Sequence, residues 1–180
     1  MMRRAAPWFA VGSILVVAGA AVAATPGIRA IGDKQSELRL PIVFASQVAS
    51  AREGSRVPLL LPGKMVVDVA LRAPSVSGDI TPDRYVLELG ATRSCGGANA
   101  CFVAAFIGQK GGRLSGGPNV GLRNGIVGRH TPFKCGASCG PDTIEWKANG
   151  ALYTIQVKGI AGKRASMITL ANSALKAGRR

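Results

Sequence analysis

Four cysteines, one histidine and a glycine-rich loop are the parts of this 180-residue chain with the means to carry chemistry. The cysteines stand in two short loops, Cys95-Gly-Gly-Ala-Asn-Ala-Cys101 and Cys135-Gly-Ala-Ser-Cys139. Thiols so placed can oxidise to disulfides or hold zinc. The C-x5-C and C-x3-C spacings are not the short knuckles of structural zinc sites, and an exported chain favours disulfides. Of the three pairings open to four cysteines, the two local ones are favoured. Both loops are short, glycine-rich and able to turn back on themselves. Cys95–Cys101 and Cys135–Cys139 are therefore read as structural staples, and no metal is expected.

His130, in Arg129-His130-Thr131-Pro132, is the one side chain suited to general-base work at neutral pH. No G-x-S-x-G nucleophile motif accompanies it, so it reads as a surface or structural histidine, with a hydrolase as a third-ranked alternative. The acids are spread singly. Asp79 and Asp83 come closest to a pair, but in Ser-Gly-Asp-Ile-Thr-Pro-Asp they read as turn residues rather than a glycosidase couple. Gly108–Gly117 lacks the G-x-x-x-x-G-K-[ST] order of a phosphate loop. It reads as a mobile hairpin loop whose Lys110 and Arg113 can touch an anion. The sequence gives no cofactor motif and no sign of specific nucleic-acid recognition.

Charge and the N-terminus bound the rest. The chain carries 23 Lys and Arg against 9 Asp and Glu. Such a balance favours polyanions such as an anionic membrane surface or wall polymer, or simply serves solubility. Met1-Met2-Arg3-Arg4 precedes an apolar run closed by Ala21-Val22-Ala23, the small-x-small pattern of a cleavage site, so residues 1–23 read as a signal peptide with Ala24 as the mature start. An uncleaved anchor over Ala5–Ala24 is the alternative. Either way the remaining chain is expected outside the cytoplasm, secreted or periplasmic.

The elements that must position these residues centre on Thr143–Val157. Its two alternating runs flank Asn149-Gly150, the pair suited to a type I′ turn. A two-residue turn sets Ala148 against Ala151, Trp146 against Tyr153 and Ile144 against Ile155 on one face. Trp146 is expected in the core. Before it, residues 24–54 read as an arm with a short helix over Pro41–Arg52. Val57-Pro-Leu-Leu-Leu-Pro-Gly63 is expected to run extended and bury Leu59–Leu61. Met65–Arg72 and Tyr85–Ala91 alternate as half-buried strands. Cys101–Ile107 reads as a strand covered on both faces, and Asn124-Gly125 marks another tight turn. Lys163–Leu175 has helical spacing, with Met167, Leu170, Ala171, Ala174 and Leu175 on one face. Lys176, Arg179 and Arg180 form a basic tail that complements the helix terminus and offers anion contacts. The predicted fold is α+β, an antiparallel meander of about five to seven strands with a C-terminal helix on one face, in a single disulfide-stapled domain over 55–176.

The Val57-Pro-Leu-Leu-Leu-Pro segment, the Trp146…Gly150…Tyr153 hairpin and Ala171-Asn172-Ser173 together resemble an extracytoplasmic bacterial domain family of undefined function. Its members occur in anti-sigma-factor-like and sporulation-type membrane-anchored proteins and in small secreted proteins. The resemblance spans about Val57–Leu175 and implies a strand meander followed by a helix; no part of this sequence is expected in the cytoplasm, where a sigma factor is held. The functional expectation is a secreted or periplasmic, non-enzymatic binding module whose partner is an envelope protein or a polyanion, or alternatively an envelope protein that binds anionic lipid or wall polymer through its basic surface.

Overall fold

A computed structural model describes residues 25–95, 98–159 and 163–178. The signal-peptide reading of 1–23 and the cations Arg179 and Arg180 fall outside these residues. The described chain starts with a hairpin, β1 (Ile28–Gly32) and β2 (Gln35–Leu38), where an arm was expected. Two short helices follow, α1 (Leu40–Val43) and α2 (Ala45–Gly54). Pro41 sits in the first turn, where its missing N–H has no helical partner to lose. The expected helix is thus present but broken at Phe44, whose φ and ψ of −102° and 26° leave the helical range. The prolines of 57–63 keep that segment out of any sheet, and Leu59, Leu60 and Leu61 are buried as expected.

β3 (Met65–Val67) pairs with β2 and completes a three-stranded sheet. It is shorter than the alternation over Met65–Arg72 implies. Past Val67 the backbone finds partners outside a ladder: the Asp68 N–H donates to Gly159 O and the Leu71 N–H to Ser36 Oγ. Leu71 is buried nonetheless, so the burial pattern persists where the strand does not.

The large sheet takes β4 (Ser75–Thr81), β5 (Arg84–Gly90), β6 (Phe102–Lys110), β7 (Val120–Gly121), β8 (Val127–Thr131), β11 (Asp142–Ala148) and β12 (Ala151–Val157). β9 (Lys134–Cys135) and β10 (Cys139–Gly140) form a separate small hairpin. The order β4-β5-β6-β12-β11-β8-β7 is antiparallel throughout. The strands therefore form two meanders joined where β6 meets β12. β6 is apolar on both faces and takes β5 and β12 as its two neighbours. The chain between β6 and β7 must then cross to the far edge, and the 111–119 loop does so. It is pinned rather than loose. Glu145 Oε2 accepts the Ser115 N–H (2.9 Å) and hydroxyl (2.6 Å), and Arg129 donates to Gly117 O at 2.9 Å. The hairpin-loop expectation is corrected accordingly. Asp79 is corrected too: it pairs with Val86 inside β4, and only Asp83 belongs to the turn.

The hairpin register is as predicted, Ala148 with Ala151, Trp146 with Tyr153 and Ile144 with Ile155. Asn149 and Gly150 have φ of 50° and 75°, the positive pair a type I′ turn requires. Its apolar face joins a single core. α2 packs on β4, and α3 (Lys163–Ala177) packs on β11 and β12 through Met167, Leu170, Ala171 and Ala174. The 57–63 segment crosses between them, held by two tyrosines. The Leu60 N–H donates to Tyr85 Oη (3.2 Å) and the Tyr153 hydroxyl to Pro58 O (3.0 Å). The Ala-Asn-Ser end of the helix is structural as well. Asn172 Oδ1 accepts the Arg123 N–H and Ser173 Oγ the Gly63 N–H.

Tyr85 carries a pH prediction. Burial pushes its phenol above the usual value, against the opposing effect of the Leu60 N–H, and the neighbouring Tyr153 adds to the rise. Below about pH 10 the phenol is protonated in folded and unfolded chains alike, and its contribution to stability is fully present. Above that, only the unfolded chain ionises, so stability falls as pH rises. Absorbance at the tyrosinate band should show no Tyr85 ionisation before alkaline unfolding. Tyr85→Phe should flatten the alkaline loss while costing about 1–3 kcal/mol at neutral pH, because the Leu60 N–H loses its acceptor. A Tyr85 that titrates reversibly in the folded protein contradicts this account.

Candidate binding groove

The cysteines form the two local bridges, Cys95–Cys101 and Cys135–Cys139, with Cα separations of 5.6 and 4.0 Å. The first closes the connection between β5 and β6; the second closes the β9–β10 hairpin. The two loops touch. Asn99 Nδ2 donates to Cys139 O at 3.2 Å, and Lys158 Nζ donates to Asn99 O. With every thiol bridged, the cysteines are staples and not metal ligands. Each bridge closes a small ring, worth about 2 kcal/mol by loop-closure entropy. Replacing Cys135 and Cys139 together by Ser should cost about that much in urea unfolding. The Cys95/Cys101 pair should cost somewhat more, since Cys95 is itself buried. Equal stability of wild type and both double variants would remove the bridges from the account.

His130 is a core residue. β8 turns it inward in register with Ile144, and its Nε2 meets Asp142 Oδ1 at 3.2 Å, both side chains buried. The same Oδ1 accepts the Phe133 N–H at 3.1 Å. Asn119 brackets the His130 backbone, with Oδ1 accepting its N–H (2.7 Å) and Nδ2 donating to its carbonyl (2.8 Å). The ring is 6% exposed, leaving almost no face for a substrate. This arrangement fastens the β9–β10 hairpin to the large sheet. Sequence spacing missed Asp142, although the alternation from Trp146 and Ile144 puts it on the buried face.

The expected anion contacts are dispersed. Lys110 Nζ stands 3.8 Å from Asp83 Oδ1, a carboxylate oxygen that Arg56 also reaches at 2.8 Å. Arg113 is exposed in the 111–119 loop, and Lys176 is exposed in the last turn of α3. A different set of cations borders the open surface of the molecule.

That surface is the outward face of the small sheet. Arg29 is opposite Glu37, and Glu37 is opposite Val66, so the three share one face of β1–β2–β3 while Ser36, Leu38, Met65 and Val67 face inward. A groove of about 420 Å³ runs between this face and α3, lined by Met65, Val66, Ala165, Ser166, Thr169 and Leu170 with Glu37 and Lys64 at its end. A second opening of about 440 Å³ continues from Glu37 and Lys64 past Gly27, Ile28, Arg29 and Arg39. One half is apolar. The other sets three cations around one carboxylate, and Lys64 Nζ to Glu37 Oε1 is a loose 3.7 Å. Gly27, at φ 82°, lets the chain enter β1 close to α1; a Cβ there would sit 2.9 Å from Ile42 Cβ. Among the described residues, no cluster of three or more metal-binding side chains occurs. Comparison with known proteins places no relative beside this arrangement: no family model, no curated protein and no solved structure matches the chain.

Proposed function

We propose that the chain is an exported, non-enzymatic binding module, secreted or periplasmic, and that its site is the groove between the β1–β3 face and α3. The observation that carries this is the continuity of the two openings through Glu37 and Lys64, which gives one site an apolar half and a cationic half. Volumes of this size hold small ligands. Two disulfides fit an oxidising compartment. Membership of the extracytoplasmic family that the Pro58–Pro62 segment and the Trp146–Tyr153 hairpin resemble is part of the same proposal. The hydrolase alternative has less support, because the His130 ring is buried and engaged with Asp142.

The test is a titration of isotope-labelled protein with soluble lipid and glycan fractions of a bacterial envelope, read by amide shifts. Shifts should centre on 27–39, 64–66 and 165–170. Thr169→Trp, an exposed helix position that fills the apolar half, should abolish them with the fold intact. Shifts centred on His130 and Asp142, or substrate turnover lost in His130→Ala, would overturn the reading.

A further inference from the structure

We propose that the partner of this face is an anionic lipid bilayer, which the chain meets through Val66 of β3 and Ile42 of the adjoining α1, with Arg29, Arg39 and Lys64 at the headgroups. The inference rests on the binding-module reading and names its partner. Two observations point the same way. First, five large hydrophobic side chains are exposed among the described residues, and Ile31, Ile42 and Val66, three of them, belong to β1, α1 and β3. Val66 is on the outward face by register, and Ile42 lies against Gly27, which lines the cationic half. Second, Arg29, Arg39 and Lys64 are exposed beside these apolar groups, with Glu37 as the one acid of the groove. Exposed apolar groups interleaved with cations suit an anionic headgroup layer, where apolar tips enter the acyl boundary and cations stay among phosphates.

The geometry also separates this face from the rest of the basic surface. Lys110 ends β6 of the large sheet, and Arg113 is in the loop that follows it. Contact by general positive charge has no reason to prefer β1–β3; contact by this face does.

Fluorescence of the full chain on vesicles with brominated acyl chains decides the matter. Val66→Trp and Ile42→Trp serve as reporters, both at exposed positions, with the wild-type emission of Trp8 and Trp146 subtracted. On vesicles of phosphatidylcholine with phosphatidylglycerol, both reporters should lose most of their added emission. The loss should shrink between about 50 and 200 mM salt. Each cation near an anionic surface contributes about fivefold to partition, so R29E/R39E/K64E should abolish the quenching. Arg113→Trp should stay bright. Equal quenching on pure phosphatidylcholine, or quenching of Arg113→Trp as deep as that of Val66→Trp, would overturn the proposal. Reporters that stay bright on both vesicles would overturn it too. If groove amides still shift with an envelope fraction in that last case, the binding module stands and only the bilayer falls. If they do not, both fall.

Discussion

Trp146→Ala is expected to cost about 3–5 kcal/mol of folding stability, the range for truncating a fully buried aromatic. Trp146 is 0% exposed and sits on β11, with β12 on one side and β8 on the other. Its ring stacks on Tyr153 with centroids 5.6 Å apart and planes 20° from parallel. Its partner in β8 is Gly128, and a Cβ on that glycine would come 2.6 Å from Glu145 O, so the neighbour has no side chain with which to fill a cavity. α3 closes the same strand from the core side. Truncation therefore leaves a void bounded by backbone and by a helix already in place, a site that relaxes poorly. Tyr153 loses its stacking partner as well, worth about 0.5–1.5 kcal/mol. Trp146→Phe keeps part of the stack and should cost less than half as much. Urea unfolding followed by circular dichroism reads both, with the midpoint moving and the slope unchanged. A loss under about 1 kcal/mol for the alanine variant would show that the hairpin face does not anchor the core.

The same hairpin shows why some of this molecule is legible in its sequence. Asn149-Gly150 fixes a turn, the turn fixes a register, and the register assigns every side chain of β11 and β12 to a face. β5 and α3 are equally plain because their apolar spacing matches one period over many residues. β4 is not: Ser75–Thr81 offers only Val76 and Ile80, with Gly78 between them, and its pairing with β5 supplies what its composition lacks. The β1–β2 hairpin is hidden for a similar reason, since Ser36 takes a buried position and its hydroxyl, bonded to Val69 O and the Leu71 N–H, is what makes that burial tolerable. The joining of two meanders through β6 and β12 is long-range and has no local signal.

The groove is illegible for that last reason. Arg29, Glu37 and Val66 become neighbours only through register across three strands, two of them separated by α1, α2 and the 57–63 segment. Composition spoke of positive charge without saying where it gathers. The loop at Lys110 and Arg113 and the tail at Lys176 were the visible basic clusters. The β1–β3 face, which also combines cations with exposed apolar groups, is elsewhere.

Asp142→Ala should cost about 2–6 kcal/mol, because two buried donors lose the acceptor they share. Asp142 is 2% exposed, and its Oδ1 serves two donors at once, the His130 ring and the Phe133 N–H. Alanine leaves both without a partner in a place water does not reach, and each orphaned group costs about 1–3 kcal/mol. The damage should spread along the chain rather than into the sheet. Phe133 leads into the β9–β10 hairpin, so exchange at the amides of 133–140 should rise well before global unfolding. Asp142→Asn retains an acceptor oxygen and the shape of the side chain, and should recover most of the loss. His130→Phe with Asp142→Leu removes both polar groups together and should cost less than the sum of the single changes, because neither is then left alone. Strict additivity would mean that the 3.2 Å contact carries no coupling. An alanine variant as stable as wild type would mean that the carboxylate is not what holds the second disulfide hairpin to the large sheet.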